Sequence, residues 1–206
     1  ARVPGIKVTA DQHDLGGLLA ATELADDVEG FDVRIESRCH LQAHANGDAG
    51  SLVRDLRKLA TLAVPLGIRV AYEALSWGRH VNQAMQSWEL VQEAGRANLG
   101  LALDSFHILA HKTDLAILDE IDPANVFLVQ LSDFLWQETR TPDERIETAR
   151  HYRLFPGEGV HSEQVADMVR RLDASGYPGD YSFEVFSDDY RQLPLGSVSG
   201  RGRRSV

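Results

Sequence analysis

The sequence predicts an α/β protein folded as a (β/α)8 barrel of parallel strands, and two patterns lead to this prediction. First, apolar segments of strand length alternate with amphipathic segments of helix length from residue 51 onwards, an order that is typical of parallel βα units. Second, four of the apolar runs end on a side chain with a hard oxygen donor. Because the chemistry of such barrels lies at the C-terminal ends of their strands, the second pattern predicts a functional site together with the fold.

The first fifty residues are the least readable part of the chain. Residues 4–10 and 31–37 alternate apolar and polar side chains, as half-buried strands do. The segment between them has the composition of a helix. A complete barrel takes about 250 residues, whereas the chain has 206. Two alternatives therefore stay open: one or two N-terminal units are missing, or residues 1–50 contain further elements.

Periodicity and helix-ending residues define the elements after residue 50. The first predicted helix, 51–67, places four leucines roughly on one face and ends at a proline and a glycine: Leu52, Leu56, Leu59, Leu62, Pro65 and Gly67. A second helix over 81–95 ends at Gly95, and a shorter one over 113–121 begins at Thr113 or Asp114 as N-cap. The last helix, 161–177, has Ser162 as its N-cap. The predicted strands between these helices are 68–75, 99–106, 125–132 and 180–186.

Two segments are predicted to lack regular structure. Residues 133–160 contain two prolines and several charges, and loops of this length are usually lids or binding loops. The tail over residues 193–206 is rich in glycine, serine and arginine, so we expect it to be disordered or to be the start of a further segment. Residues 1–192 are then expected to form a single barrel domain.

Composition restricts the partners of this chain. The formal net charge of −10 argues against nucleic acid, because phosphate binding requires a basic face. Cys39 is the only cysteine, so neither an intrachain disulfide nor a cysteine-based zinc site is expected. The apolar runs are much shorter than the ~20 residues that span a bilayer, and the first residues show no signal-peptide pattern. We therefore expect a cytoplasmic location without membrane contact.

The four strand-end donors together predict a metal site. They are Glu73 in IRVAYEAL, Asp104 in LGLALDSFH, Gln130 in NVFLVQLSD and Glu184 in DYSFEVF. Three carboxylates and one carboxamide that meet at one point suit a divalent cation that prefers oxygen, such as Mg2+, Mn2+ or Co2+. Taken singly, each acidic residue could instead cap a helix or pair with an arginine. Gln130 is the most informative, because a buried carboxamide needs partners.

Five further side chains are candidates for catalysis or substrate binding. His107 follows Asp104 by three residues and is placed to act as a general base beside the metal, or else to cap a helix. Arg79 and His80 follow Gly78 after the second strand, where Arg79 could clamp a carboxylate and His80 could contact the substrate. Arg153 and His151 lie in the long loop and suit an anionic substrate, Arg153 being the preferred carboxylate binder. The alternative for these four residues is simple exposure to solvent.

These motifs resemble the bacterial 3-dehydroshikimate dehydratases of the xylose-isomerase-like TIM-barrel superfamily. The resemblance covers about residues 51–192 and rests on five segments: VAYEALSWGRHVN, LGLALDSFHILA, VFLVQLSD, RHYRLFPGEG and SFEVFSDDYR. It implies a divalent-metal lyase that converts 3-dehydroshikimate to protocatechuate and water in quinate and shikimate catabolism. Residues 1–50 match poorly, and some members continue into a dioxygenase-like domain.

The resemblance also implies a role for each site residue. The metal ligands of the family fall on Glu73, Asp104, Gln130 and Glu184, and many relatives, including sugar epimerases, have histidine in place of Gln130. The acid/base residue falls on His107. Arg153 falls on the residue expected to hold the substrate carboxylate, and His80 falls near the substrate.

Two other functions remain open on the sequence. One is a metal-dependent ketose epimerase or isomerase, which uses the same barrel and the same enolate chemistry. The other is an inactive, metal-binding scaffold that associates with a partner or with itself. An unpaired barrel edge would favour such a homo-oligomer.

Overall fold

The computed structural model describes the backbone of residues 34–37 and the structure of residues 49–205. The predicted strand 4–10 and the predicted helix that follows it lie outside the described residues. Within residues 34–37 and 49–205, none of the helices is both long and apolar enough to cross a membrane.

Among the described residues, five parallel strands form one sheet, and each strand pairs with the next one along the chain. Sequential parallel pairing through helical crossovers is the arrangement of a (β/α) barrel wall. The predicted parallel α/β architecture is therefore confirmed. The strands are β1 Arg34–Ser37, β2 Arg69–Glu73, β3 Leu99–Asp104, β4 Val126–Leu131 and β5 Tyr181–Phe183.

Helices pack against one face of this sheet and form the main core with it. Strand residues such as Val70, Leu101 and Val129 share that core with Leu56 and Trp88 of the helices. The helices are α1 Ala49–Ala63, α2 Ala84–Ala94, α3 Ser105–Ala110, α4 Pro142–His151, α5 Ser162–Ser175, α6 Asp188–Arg191 and α7 Leu195–Arg204. Short 3-10 helices span Val64–Leu66, Leu115–Glu120 and Pro123–Asn125.

The apolar face of α1 is narrower than predicted. Leu52 and Leu56 are buried and Leu59 packs against the core, whereas Leu62 is 62% exposed. At about 100° per residue, Leu62 lies roughly 80° around the helix from Leu52. It is therefore past the edge of the buried stripe.

The long segment 133–160 contains a helix, so the prediction of an irregular loop is wrong there. Thr141 and Glu144 form a reciprocal capping box at the start of α4, with Pro142 in its first turn. This T-P-x-E pattern is a helix-start signature. The helix buries only Thr148 and Ala149, which explains why the sequence shows no apolar period.

The tail also differs from its prediction, because residues 195–204 form α7 instead of a disordered segment. Gly202 is buried, and a Cβ atom at its position would lie 3.2 Å from the Phe155 ring. Arg201 pairs with Glu158 at 2.8 Å and lies over the Tyr190 ring at 5.1 Å. Tertiary contacts of this kind stabilise a helix whose glycines and serines disfavour it locally.

The predicted N-caps have different outcomes. Asp114 is confirmed, because its carboxylate accepts a hydrogen bond from the Ala116 N–H at 2.9 Å. Ser162 is not a cap: His161 occupies the N-cap position of α5, and the Ser162 hydroxyl donates to Asp133 Oδ2 at 2.8 Å. The Ser162 hydroxyl therefore bonds to the buried Asp133 carboxylate and does not cap the backbone of α5.

A register shift between β3 and β4 makes Asp104 and Gln130 direct partners at the ends of the two strands. Leu101 pairs with Val126, but Ala102 pairs with Leu128, so Phe127 is the extra residue of a bulge. Phe127 and Leu128 pack with Ala102 in a small second cluster. Gly100 makes room for this bulge, since a Cβ atom there would lie 2.4 Å from the Asn125 carbonyl oxygen and 2.9 Å from the Phe127 ring.

We expect Gly100→Ala to destabilise the protein. The new methyl group would collide with backbone and ring atoms that cannot both move away, and overpacking of this kind costs about 1–3 kcal/mol. Urea unfolding measures the loss. Gly196→Ala in α7 is the matched control, because nothing lies within 4 Å of its added Cβ. Equal stability of the two variants would contradict the bulge argument.

Candidate metal centre

The four predicted ligands lie at the C-terminal edge of the sheet. Glu73 and Asp104 are the last residues of β2 and β3, Gln130 is the penultimate residue of β4, and Glu184 directly follows β5. All four side chains are buried. Asp104 and Gln130 are register partners, and residues at the same height on neighbouring parallel strands point to the same face. Strand ends of this kind therefore concentrate their oxygen donors on one side of the sheet.

His107 completes a compact group with two of these ligands. Glu73, Asp104 and His107 each offer one atom within 4.8 Å of the others. His107 Nε2 lies 3.5 Å from Glu73 Oε1 and 3.7 Å from Asp104 Oδ2. His107 belongs to α3, which is capped by the Asp104 carboxylate through the Phe106 N–H at 2.8 Å. The same carboxylate thus starts the helix that carries the histidine.

Arg153 joins Asp104 to Glu184 inside the site. Its Nη1 donates to Asp104 Oδ2 at 2.6 Å and to Glu184 Oε2 at 3.0 Å. Its Nε donates to the Ala149 carbonyl oxygen at 3.0 Å, and its guanidinium carbon lies 4.7 Å from the centre of the Phe106 ring. Charge-assisted hydrogen bonds of this length hold both carboxylates in place.

The oxygen atoms of this cluster fit a divalent cation. Glu73 Oε1, Gln130 Oε1 and Glu184 Oε1 are buried and accept no hydrogen bond from the rest of the described chain, although these residues make other contacts. In their ionised forms, three carboxylates and one guanidinium carry a formal charge of −2, which a divalent cation neutralises. Carboxylate and amide oxygens are the donors that hard cations prefer.

Comparison with known proteins gives the family of this chain. The family described as xylose isomerase-like TIM barrel matches residues 24–204. The chain belongs to the xylose isomerase-like TIM barrel family. The predicted barrel class is thereby confirmed.

Curated proteins that are similar to this chain include dehydratases and isomerases. Two proteins named 3-dehydroshikimate dehydratase, from Pseudomonas putida and Pseudomonas aeruginosa, are each 40% identical over 81% of the chain. This confirms the resemblance to the bacterial 3-dehydroshikimate dehydratases. A protein named inosose isomerase, from Halalkalibacterium halodurans, is 31% identical over 69% of the chain. The chain spans about a quarter of the length of the two dehydratases and about half that of the isomerase.

A solved structure has a similar fold. It is a fusion of a xylose isomerase-like TIM barrel with a 4-hydroxyphenylpyruvate dioxygenase, with 38% sequence identity and a TM-score of 0.78. The match covers 93% of this chain and 29% of the fusion protein.

Asp133 is a site-supporting residue that the sequence analysis missed. This fully buried carboxylate accepts from the Phe134 and His161 N–H groups at 2.7 and 3.0 Å, from the Gly159 N–H at 3.2 Å and from the Ser162 hydroxyl. It also pairs with Leu154 through two backbone hydrogen bonds of 2.8 Å. These contacts dock the segment that carries Arg153 onto the end of β4. In the sequence, this role was indicated only by the position of Asp133, a charged residue two positions after the buried strand β4.

Ser76 supports His107 from the side away from the carboxylates. The Ser76 N–H donates to His107 Nδ1 at 3.2 Å, and the Ser76 hydroxyl lies 3.0 Å from the same atom. The Ser76 carbonyl oxygen in turn contacts His111 Nε2 at 2.8 Å and accepts from Arg145 at 3.0 Å. The Trp77 ring stands edge-on to His107 at 4.9 Å. This network could not be predicted from the spacing of residues in the sequence, because its members come from three separate segments.

His111 is a titratable residue of this network, and its pKa is shifted in the folded protein. Burial, followed by the nearby Arg145 guanidinium, lowers the pKa of His111 from its ordinary value of 6.5. The folded protein therefore resists protonation of His111, while the unfolded chain takes up the proton at higher pH. The contribution of His111 to the free energy of unfolding is therefore fully present above the ordinary pKa. It decreases as the pH falls towards the lowered pKa.

We expect His111→Gln to flatten the pH dependence of stability on the acid side of neutrality. Glutamine keeps an N–H donor for the Ser76 carbonyl but does not titrate. Urea unfolding at about pH 7.5 and about pH 5 should show a smaller loss of unfolding free energy in the variant than in the wild type. An identical loss in both proteins would show that His111 does not contribute to the acid sensitivity of the fold.

The remaining predicted site residues lie further out. Arg79 is exposed and His80 is half-buried, in the segment that follows a turn closed by the Gly78 N–H and the Leu75 carbonyl oxygen at 2.7 Å. His151 ends α4, and its Nδ1 lies 2.9 Å from Asp188 Oδ2. Arg79, His80 and His151 are therefore more exposed than the inner group around the carboxylates, and we refer to them as the outer basic residues.

Proposed function

We propose that this chain is a metal-dependent lyase that dehydrates 3-dehydroshikimate to protocatechuate. The observation that carries the proposal is the buried strand-end group with His107 Nε2 at 3.5 Å from Glu73. Two relatives that are 40% identical and named 3-dehydroshikimate dehydratase support the choice of substrate. The proposal includes the predicted ligand set Glu73, Asp104, Gln130 and Glu184.

The reaction removes one proton from carbon and one hydroxyl from the neighbouring carbon, and these leave together as water. A divalent cation held by the four ligands would supply a Lewis acid that stabilises the enolate charge. We assign the proton transfer to His107, because its ring lies beside the proposed ligands and is oriented by Ser76. Proton transfer by a positioned histidine contributes about 10²- to 10⁴-fold in rate.

The outer basic residues are proposed to bind the substrate carboxylate. Arg79 and His151 are the exposed and half-buried candidates, and His80 lies next to Arg79. A guanidinium binds a planar carboxylate through two parallel hydrogen bonds. Holding the carboxylate would orient the reacting carbons, and orientation lowers the barrier.

Ultraviolet absorbance during incubation with 3-dehydroshikimate and Mn2+, with and without EDTA, tests this function. We expect an aromatic product that EDTA abolishes. If no product forms although Mn2+ binds, the dehydratase proposal is wrong.

Two alternative functions would then be tested. The inosose isomerase relative favours an isomerase or epimerase that acts on a ketose. Conversion of such a sugar, measured by chromatography, supports that alternative. Metal binding without any turnover supports the scaffold.

A further inference from the structure

Protein groups contact the Nη1 and Nε atoms of Arg153 and the face of its guanidinium. Arg153 is 2% exposed. Its Nη1 is directed at Asp104 Oδ2, Glu184 Oε2 and the Glu184 carbonyl oxygen, at 2.6, 3.0 and 3.3 Å. Its Nε is tied to the Ala149 carbonyl oxygen. The Phe106 and Phe186 rings lie 4.7 and 5.9 Å from the guanidinium carbon.

This environment does not suit a clamp for a substrate carboxylate. The same nitrogen already lies between two carboxylates, so an incoming third carboxylate would meet two like charges at short range. Like charges within about 4–6 Å repel each other strongly in a poorly solvated site.

The same environment suits a group that orients metal ligands. Asp104 and Glu184 come from β3 and from the end of β5, which do not neighbour each other in the sheet. One guanidinium nitrogen bridges them and sets the distance between the two carboxylates. Partners that orient metal-binding carboxylates typically change metal affinity about 10- to 100-fold when they are removed.

We infer that Arg153 is a positioning residue for the metal site and not the binder of the substrate carboxylate. It pre-arranges Asp104 and Glu184 for a divalent cation, and the outer basic residues bind the substrate carboxylate. The inference rests on the proposed metal site, but it does not require that the substrate be 3-dehydroshikimate.

Calorimetric titration with Mn2+ tests the inference on the full chain. Arg153→Lys retains the positive charge but loses the Nε anchor and the planar fork, so the change isolates geometry from charge. We expect Mn2+ binding to weaken about 10- to 100-fold. Arg150→Lys is the matched control, because Arg150 is exposed in the last turn of α4. Circular dichroism verifies that each variant is folded, and Arg153→Gln is a second variant if the lysine does not fold.

Steady-state kinetics at saturating Mn2+ separates the two roles. The positioning role leaves the KM for the substrate unchanged in Arg153→Lys. Unchanged Mn2+ affinity together with a raised KM would overturn the inference and restore the carboxylate clamp. The Mn2+ titration does not depend on turnover, so it remains decisive even if the dehydratase assay shows no product.

Discussion

Replacing Glu184 by glutamine is expected to weaken metal binding, whereas replacing His107 by alanine is expected to lower kcat and leave metal binding largely intact. Glu184→Gln keeps the size of the side chain but removes one of the three carboxylates in the proposed ligand set, so we expect Mn2+ affinity to fall by at least about 10-fold. His107→Ala removes the proton-transfer group, and kcat should fall by about 10²- to 10⁴-fold.

Metal content and kcat, measured on the same samples, distinguish these outcomes. Glu147→Gln is a matched control, because Glu147 is exposed on α4. Comparable metal loss in Glu184→Gln and His107→Ala would show that His107 is itself a ligand, as its place in the Glu73–Asp104–His107 group permits. The division between metal ligands and the proton-transfer residue would then be wrong.

Replacing Asp133 by asparagine is expected to cause a large loss of stability. The Asp133 carboxylate accepts four hydrogen bonds from N–H and O–H groups while fully buried. The NH2 group of an asparagine would face N–H and O–H donors that need an acceptor. Each buried group left without a partner costs about 1–3 kcal/mol. We therefore expect a loss of about 3 kcal/mol or more in unfolding free energy.

Thermal and urea unfolding measure this loss, and Asp55→Asn is the control. Asp55 is exposed on α1, where surface substitutions change stability by about 0.5 kcal/mol or less. Because Asp133 docks the segment that carries Arg153, we also expect weaker Mn2+ binding in Asp133→Asn. Wild-type stability in this variant would show that the four contacts do not hold the segment.

The strand-end donors are the part of the molecule that sequence patterns located best. Each of them ends an apolar run, and parallel strands necessarily bring their C-terminal ends to one edge. Strand length and burial are local properties that the spacing of Val, Leu and Ile reports directly. The positions of these donors therefore followed from four short segments taken independently.

Elements without an apolar period were predicted less well. Helix α4 is almost wholly polar on its exposed turns, and α7 contains three glycines. Local propensity disfavours a helix at α7, so contacts of Gly202 and Arg201 with distant residues decide its conformation. The capping box at Thr141 was readable from the sequence, but the tail helix was not.

Side-chain period and strand-end chemistry are local in the chain, and for this reason they were enough to predict a parallel α/β barrel with four oxygen donors at its strand ends. How these donors are held could be learned only from the folded molecule. Arg153 reaches Asp104 across 49 positions, and Arg145 reaches Ser76 across 69. Contacts over such separations depend on the Phe127 bulge, the docking of α4 and the packing of buried side chains. None of these features produces a periodic pattern of residues in the sequence.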